Sequence, residues 1–202
     1  MPQSARSAAL KLGAASVFVL LFAANGAAQG NGVLGVYFDA NGSECSGSIG
    51  PGAFRTLYVL FSPDGDTRGG IKGAEFRIEI SGSGYNLFGP QYLFPEGTQV
   101  GDALGDGVIT APRVCQSGLV IPVLRFQVQN VGGGSDVVIS IAPKNPPSNG
   151  SFPCPLVNLC DTPMFTQVCV RPGKAVLNPS GSIVCGSGAS SAEWGRVKEL
   201  YR

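Results

Sequence analysis

The 202 residues of this chain include 13 Asp and Glu and no His, which removes many of the usual catalytic arrangements. Without His there is no Ser-His-Asp or Cys-His arrangement to activate a nucleophile. Two carboxylates at a suitable separation could still hydrolyse a glycoside, and Glu75 and Glu79 are candidates by residue type. Both lie in an alternating segment, which predicts that they face solvent on an ordinary amphipathic strand. We therefore expect no catalytic site, with a secreted carboxylate-dependent glycoside hydrolase as the alternative.

A second acidic segment, residues 101–109 (GDALGDGVI), resembles part of a calcium-binding loop. Asp102 and Asp106 occupy the first and fifth positions of an EF-type loop, and glycine follows at the sixth. Leu104 replaces the oxygen ligand at the third position, and Arg113 stands where a bidentate acid is needed. The segment predicts either a weak calcium site at Asp102 and Asp106 or a plain Gly-Asp turn, and no other cofactor is expected.

Four aromatic residues lie close together around Pro90 in the sequence: Tyr85, Phe88, Tyr92 and Phe94. Carbohydrate-binding surfaces expose rows of aromatic rings, so these four predict a possible ligand platform. The alternative is that the rings cap one end of the domain.

All six cysteines lie after residue 44: Cys45, Cys115, Cys154, Cys160, Cys169 and Cys185. An even number in an exported chain predicts up to three disulfides, and zinc is disfavoured because the chain has no C-x-x-C pair and no His. Sequence leaves about 15 connectivities open. The pairs we expect are Cys154 with Cys160, Cys45 with Cys115, and Cys169 with Cys185.

The first 28 residues have the pattern of a cleavable secretory signal peptide. Arg6 and Lys11 precede an uncharged segment, residues 12–28, whose densest apolar run is residues 14–24. Small residues at 26–28 predict cleavage after Ala28. The apolar run is too short for a membrane anchor, which needs about 20 residues, and no other segment is long enough. We expect a protein secreted or on the exterior of the cell envelope, with no membrane span after cleavage.

The charge of the exported part is nearly balanced. Removing Arg6 and Lys11 from the 14 Lys and Arg leaves 12 against 13 Asp and Glu, a net charge of about −1. Nucleic acids and anionic membranes require basic patches, so neither is an expected partner.

Hydrophobic residues alternate with polar ones along several short segments, which predicts β-strands with one dry face. In residues 71–80 the apolar set alternates with Glu75, Arg77 and Glu79, and residues 124–129 and 137–141 alternate likewise. With 30 Gly and 15 Pro marking turns, we expect eight or nine short strands and no helix before residue 190. The fold class is all-β, a jelly-roll-like β-sandwich spanning residues 29–178. Residues 41–52 and the Pro-rich residues 143–155 are expected to be surface loops.

The end of the chain changes character. Residues 179–189 are rich in Gly and Ser and predict a linker, and residues 190–202 predict a short C-terminal amphipathic helix. Trp194, Val197, Leu200 and Tyr201 form one apolar stripe at helical spacing. This stripe predicts either an export or docking tag or a helix that packs on the protein's own sandwich.

With the strands placed, the chain resembles cohesin-like domains. The likeness rests on GIKGAEFRIEI at residues 70–80 and, in the same order, on GDALGDGVITA, LRFQVQN and DVVISIAP. The segments LGVYFDANGSEC, GDALGDG, PLVNLCD and the final W-x-x-VK-x-LYR are similar to a set of uncharacterised secreted bacterial proteins with cohesin-like cores. The resemblance implies a jelly-roll-like sandwich, export from a bacterium and no known catalysis. It matches no dockerin-contacting residues, so a dockerin partner is not implied.

Taken together, these patterns predict a secreted, non-catalytic module with an extracellular binding, adhesive or envelope-structural role. Its expected partners are a polysaccharide or a cell-envelope protein.

Overall fold

The computed structural model describes residues 32–94, 96–150, 152–160, 166–183 and 185. The predicted signal peptide, residues 184 and 186–189 of the predicted linker, and the predicted C-terminal helix lie outside these residues. Among the described residues, no helix is long and apolar enough to cross a membrane. The strands are β1 (Val33–Tyr37), β2 (Ser46–Gly47), β3 (Phe54–Ser62), β4 (Ile71–Ser81), β5 (Tyr85–Tyr92), β6 (Thr98–Asp102), β7 (Gly107–Ala111), β8 (Ile121–Asn130), β9 (Val137–Ala142), β10 (Leu156–Leu159), β11 (Gln167–Cys169), β12 (Arg171–Pro172) and β13 (Lys174–Leu177), with one 3-10 helix at Gly65–Gly69.

The strands form two sheets, which confirms the predicted all-β sandwich. The first sheet has five strands in the order β12-β1-β3-β8-β5. The second has eight strands, six of them in the order β11-β10-β4-β9-β13-β2, and β7 joins β4 to β6. Pairing is mostly antiparallel, so each sheet can bury one face and keep the other in water.

Alternating side chains from both sheets build the core between them. On β4 the buried side chains include Phe76 and Ile78, and on β8 they include Phe126 and Val128. All belong to one cluster that runs through both sheets. Burying an aromatic or aliphatic side chain of this size contributes roughly 1.5–3 kcal/mol, so the strand interior supplies most of the driving force.

Several strands were not predicted from the sequence. The pair Ser46–Gly47 falls in the predicted loop 41–52 and joins β13 in parallel. β5 and β6 occupy residues with weak alternation, and β5 carries an irregularity between Phe88 and Gln91 that interrupts its period of two. The strand predicted at 164–170 is shorter, at Gln167–Cys169, and residues 164–165 lie outside the described part.

All six cysteines are paired, as predicted, but none of the three expected pairings occurs. The disulfides join Cys45 to Cys185, Cys115 to Cys160, and Cys154 to Cys169, with Cα–Cα distances of 5.3, 5.7 and 5.6 Å. These distances are normal for disulfides.

The wrong pairings have physical causes. Cys154 cannot reach Cys160, because the extended strand β10 lies between them and six extended residues span about 20 Å. Cys160 instead lies beside the start of β4, where its amide donates to the Gly70 carbonyl at 3.2 Å. Cys115 reaches the same place, since Gln116 pairs with Ile71.

Candidate functional site

The outer side of the first sheet presents an exposed row of aromatic and amide side chains, which we call the outer face. Strand register aligns its members across β3, β8 and β5, and Leu57, Phe126 and Val128, which alternate with them on β3 and β8, are buried in the core. The outer face consists of Phe54, Thr56, Tyr58, Asn86, Phe88, Gln91, Arg125, Gln127 and Gln129. Arg125 is the one charged side chain in this set, and the other polar members are neutral.

Two phenylalanines form the apolar centre of the outer face. Phe54 and Phe88 lie on β3 and β5, which flank β8, and their ring centroids are 5.6 Å apart at an interplanar angle of 82°. Because β3 and β5 are about 10 Å apart, the rings must lean toward each other over β8 to make this contact. Phe54 remains 56% exposed, so the pair is not part of the core.

Polar side chains surround the phenylalanine pair. Gln129 is the cross-strand neighbour of Phe54, and Gln127 is that of Phe88. Further along β8, the Arg125 Nε donates to the Gln91 Oε1 at 2.8 Å. This hydrogen bond holds the guanidinium against β5. Amide groups both donate and accept, so the surroundings of the rings suit a polar, uncharged ligand surface.

A small buried cluster borders the outer face on the β1 side. Tyr37, Cys45 and Leu60 are buried together, and Tyr58 and Cys185 pack against them. Burial raises the pKa of Tyr37, although a hydrogen bond with Ser62 lowers it in part. The Cys45–Cys185 disulfide therefore places the last described residue at the edge of the outer face.

The loop leading to Cys45 is organised by Asp39. Its carboxylate accepts hydrogen bonds from the Ser43 amide at 2.9 Å, the Ser43 hydroxyl at 2.8 Å and the Glu44 amide at 2.8 Å. Partial burial raises the pKa of Asp39, but these hydrogen bonds outweigh that effect and lower the pKa below its usual value. Nearby, Arg55 lies 5.3 Å from the Phe38 ring centroid and pairs with Glu44 at 3.4 Å.

The four aromatic residues of the predicted platform do not share one exposed surface. Tyr85 and Phe94 are buried in the core cluster, and Tyr92 packs against it, with only Phe88 on the outer face. Burial raises the pKa of Tyr92, a hydrogen bond with the Ala103 backbone lowers it, and nearby Asp102 raises it. Alternation along β5 places Tyr85 on the core side, the irregularity between Phe88 and Gln91 puts Tyr92 on a different side from Phe88, and Phe94 lies beyond the end of the strand.

Tyr85 has a structural role at one end of the sandwich. Its hydroxyl donates to the Gly134 carbonyl at 2.9 Å and accepts from the Asn178 Nδ2 at 2.7 Å. Its ring lies so close to Gly133 that a Cβ there would collide with it. Burial raises the pKa of Tyr85. This hydrogen-bonded end agrees with the alternative interpretation, in which the ring caps the domain.

The two aspartates of the predicted calcium loop flank the β6–β7 turn. The Asp102 carboxylate accepts from the Leu104 amide at 3.0 Å, which is the bond of a local turn. The Asp106 carbonyl accepts from the Asn145 amide at 2.7 Å. Within the described residues, no three Asp, Glu, Cys or His side chains converge as metal ligands. Calcium at Asp102 and Asp106 stays a prediction, because nothing tests it.

Glu75 is buried, and the prediction that it faces solvent is wrong. Its side chain is on the outer side of β4, but only 5% of the residue is exposed, because the loop after β9 covers it. The Ser148 amide donates to the Glu75 Oε1 at 2.8 Å, and the Ser148 hydroxyl bonds the Oε2. The carboxylate thus anchors the Pro-rich loop 143–155, for which the sequence predicted a surface position but not this contact with β4.

Glu79, by contrast, is exposed as predicted and pairs with Arg77 at 2.5 Å. Four extended residues separate Glu75 from Glu79, a distance of about 13 Å along the strand. Glycosidases hold their two carboxylates about 5–9.5 Å apart. The pair therefore does not have the geometry that hydrolysis requires. Trp194, Val197, Leu200 and Tyr201 of the predicted docking tail lie outside the described residues.

Comparisons with known proteins agree with this architecture. No protein-family model and no curated protein matches the chain. Among solved structures, the cohesin module of a family 33 glycoside hydrolase from Clostridium perfringens superposes with a TM-score of 0.50 at 10% identity, covering 74% of this chain and 98% of that one. The sixth cohesin of scaffoldin B from Acetivibrio cellulolyticus, solved with a mutant Cel5 dockerin, gives 0.52 at 11% identity, covering 75% and 100%. The chain therefore has a cohesin-like fold.

Proposed function

We propose that this protein is a non-catalytic binding module, and that its outer face on β3, β8 and β5 binds a protein partner. The observation that carries the proposal is the Phe54–Phe88 pair, with Phe54 56% exposed, on a surface whose other side chains are polar. Protein interfaces concentrate their binding energy in a few aromatic anchors surrounded by polar groups. The outer face has this arrangement.

The rigidity of the sheet supports the same proposal. β8 is hydrogen-bonded on both edges, and the side chains directly beneath the outer face, such as Leu57 and Phe126, are almost fully buried. A surface fixed in this way loses little conformational entropy when a partner binds. The aromatic pair is therefore preorganised for binding.

The ring geometry favours a protein over a polysaccharide. A sugar ring stacks on a flat aromatic surface, whereas Phe54 and Phe88 meet edge to face at 82° and offer no common plane. A protein can instead insert side chains around two inclined rings. The cohesin-like fold adds support, since the structurally similar Acetivibrio cohesin was solved in complex with a protein, a dockerin.

We also propose that the module is exported and works on the exterior of a bacterial cell envelope. The signal-peptide pattern of residues 1–28 and the three disulfides support this location, because disulfides persist in oxidising compartments. Mass spectrometry of protein from the culture medium or envelope fraction should find a mature N-terminus near Gln29. An intact N-terminus on cytosolic protein would contradict export.

The binding proposal is tested by differential capture. The wild-type protein, the double variant Phe54→Ala/Phe88→Ala and the control Val100→Ala are immobilised and exposed to envelope proteins of the source organism. Val100 is 68% exposed on β6 of the other sheet, so its truncation removes exposed apolar surface away from the outer face. We expect one protein that the wild type and the control retain and the double variant loses.

Two results would contradict the proposal. The first is capture that is identical for the wild type and the double variant, which would place any interface elsewhere. The second is retention on insoluble polysaccharides that depends on Phe54 and Phe88, which would identify a glycan as the ligand. Circular dichroism of all three proteins confirms that the variants remain folded.

A further inference from the structure

Arg125 is the one charged side chain in the outer face, and only part of its guanidinium is engaged. Its Nε donates to the Gln91 Oε1 at 2.8 Å. Because Gln91 is a neutral amide, this hydrogen bond leaves the positive charge uncompensated. Arg125 is exposed, and no carboxylate among the described residues forms an ion pair with it. Its Nη1 and Nη2 groups, which carry most of the guanidinium N–H donors, therefore have no acidic partner in the described structure.

Other arginines of the described structure show how this chain compensates the same charge elsewhere. Arg55 pairs with Glu44, Arg68 with Asp64, Arg77 with Glu79, and Arg113 with Glu96. Arg171 on β12 is exposed and, like Arg125, has no ion pair with a described residue. Arg125 differs from Arg171 because a hydrogen bond holds its side chain and because it lies in the same row as the phenylalanine pair. Of these two uncompensated arginines, only Arg125 belongs to the candidate site.

The hydrogen bond with Gln91 also orders the guanidinium before a ligand arrives. Arg125 lies on β8, with Tyr58 as its neighbour on β3 and Gln91 as its neighbour on β5. Ordering a long side chain costs free energy on binding, and here part of that ordering is already present in the free protein. The remaining fork, Nη1 and Nη2, matches the two oxygens of a carboxylate.

The strand register places Arg125 at a defined distance from the phenylalanine pair. Phe88 is the cross-strand neighbour of Gln127, which lies two residues from Arg125, or about 7 Å along β8. Phe54 is the neighbour of Gln129, which lies four residues from Arg125, or about 13 Å. The contact between the rings is thus on the order of 10 Å from Arg125. The amides near the rings suit uncharged groups, whereas the guanidinium suits an anion.

From this arrangement we infer that the protein partner presents an Asp or Glu carboxylate to Arg125, about 10 Å from the apolar side chain that contacts Phe54 and Phe88. The inference rests on the proposed function and gives the partner of the same surface a chemistry. The outer face carries a positive charge and no negative one, so it attracts an acidic partner segment and repels a basic one. A partner without a carboxylate would cover the guanidinium and leave its charge unpaired, which is costly.

Random peptides displayed on phage provide probes of defined sequence. The library is selected on the immobilised wild-type protein, and the enriched sequences are made as synthetic peptides whose Kd values are measured by fluorescence anisotropy. We expect the enriched peptides to combine an apolar residue with Asp or Glu. Arg125→Gln should weaken their binding about tenfold, because a charge-assisted hydrogen-bonded pair is lost. Arg171→Gln is the matched control and should leave the Kd unchanged, since it removes the same charge three strands away from β8.

Two further variants separate recognition of a carboxylate from a structural effect of Arg125. Arg125→Glu should reject the acidic peptides and bind versions in which Lys replaces the acidic residue, a result that misfolding cannot produce. Gln91→Glu keeps Arg125 but places a carboxylate of the same chain beside it, so it should weaken the acidic peptides as Arg125→Gln does. Raising the salt concentration should weaken binding to the wild type more than binding to Arg125→Gln. Circular dichroism shows whether each variant remains folded.

The inference and the proposed function can fail separately. Peptide binding that depends on Arg125 and is lost in Phe54→Ala/Phe88→Ala supports both. Binding that depends on the phenylalanines but is unchanged in Arg125→Gln overturns the inference and leaves the proposed function standing. Binding that depends on Arg125 but not on the phenylalanines supports the carboxylate site and contradicts the phenylalanine anchor of the proposed function. A library that yields no peptide dependent on either overturns both.

Discussion

Removing the Glu75 carboxylate should detach the Pro-rich loop from β4 and destabilise the domain. The carboxylate accepts two hydrogen bonds from Ser148, and its residue is only 5% exposed. Hydrogen bonds to a charged group contribute about 1.5–3 kcal/mol each, and removing a costly buried charge offsets part of their loss. We expect Glu75→Ala to lower the free energy of unfolding by about 3 kcal/mol.

The isosteric variant separates the charge of Glu75 from its shape. In Glu75→Gln the amide oxygen can still accept from the Ser148 backbone, and the new NH2 group can donate to the Ser148 hydroxyl. The loss should then be about 1 kcal/mol, the difference between charged and neutral hydrogen bonds. Glu79→Ala is the matched control, since Glu79 is exposed on the same strand and its pair with Arg77 contributes no more than about 1 kcal/mol.

Urea unfolding measures the free energies of unfolding of Glu75→Ala, Glu75→Gln and Glu79→Ala. Hydrogen exchange of residues 143–150 measures the protection of the loop itself. The Ser148 amide should exchange faster in Glu75→Ala than in wild type or Glu79→Ala, because its acceptor is gone. The reasoning is refuted if Glu75→Ala destabilises the protein no more than Glu79→Ala and leaves exchange in the loop unchanged.

Three further predictions concern the covalent and polar contacts. The double variant Cys45→Ser/Cys185→Ser opens a loop of 140 residues, so urea unfolding should show a loss of about 5 kcal/mol, against about 3 for the disulfide that spans 15 residues. Tyr85→Phe removes two hydrogen bonds of a buried hydroxyl and should lower stability by about 1–2 kcal/mol, measured as a decrease in Tm. The folded-state pKa of Asp39 is lowered, so its stabilisation is full above the unfolded pKa of about 4 and is lost as pH falls through the folded pKa. The stability difference between wild type and Asp39→Asn should therefore be constant from pH 7 to about pH 5 and shrink in stronger acid, whereas a difference independent of pH would contradict the assignment.

The part of the fold that follows local alternation could be predicted from the sequence. β9 and much of β8 bury alternate residues, and the apolar residues Ala74, Phe76 and Ile78 of β4 face the core, because an antiparallel sheet in a sandwich has one dry face. The same alternation placed Arg125, Gln127 and Gln129 on the solvent side of β8, where they contribute to the outer face. The missing His and the abundance of Gly and Pro likewise pointed away from common catalytic sites and toward short strands.

The parts that depend on distant segments could not be predicted. Glu75 has the polar position of an ordinary exposed strand residue, and only the loop containing Ser148 removes it from water. The disulfides join cysteines that neighbouring strands bring together rather than those closest in the sequence. Cys154 is bonded to Cys169, although Cys160 is closer along the chain. Local sequence carries no signal for either event.

The Phe54–Phe88 pair of the candidate site also depends on segments that are distant in the sequence. Phe54 and Phe88 are 34 residues apart, and their contact exists because β3 and β5 are both neighbours of β8. The sequence suggested a cluster at residues 85–94 instead, because those aromatic residues are close along the chain. Only the strand order identifies Phe54 as the partner of Phe88.

The Cys45–Cys185 disulfide also determines how the domain would respond to a pulling force. Tension applied between the chain before Cys45 and the chain after Cys185 passes through the covalent bond that joins them, so the segment between these cysteines, whose sequence separation is 140, cannot be extended while the bond is intact. At up to 3.5 Å per residue, the segment between the two cysteines would be about 490 Å long if fully extended, and the intact disulfide prevents this extension. For a module pulled through the chain before Cys45 and the chain after Cys185, the load would pass across this disulfide without extending the segment between the two cysteines.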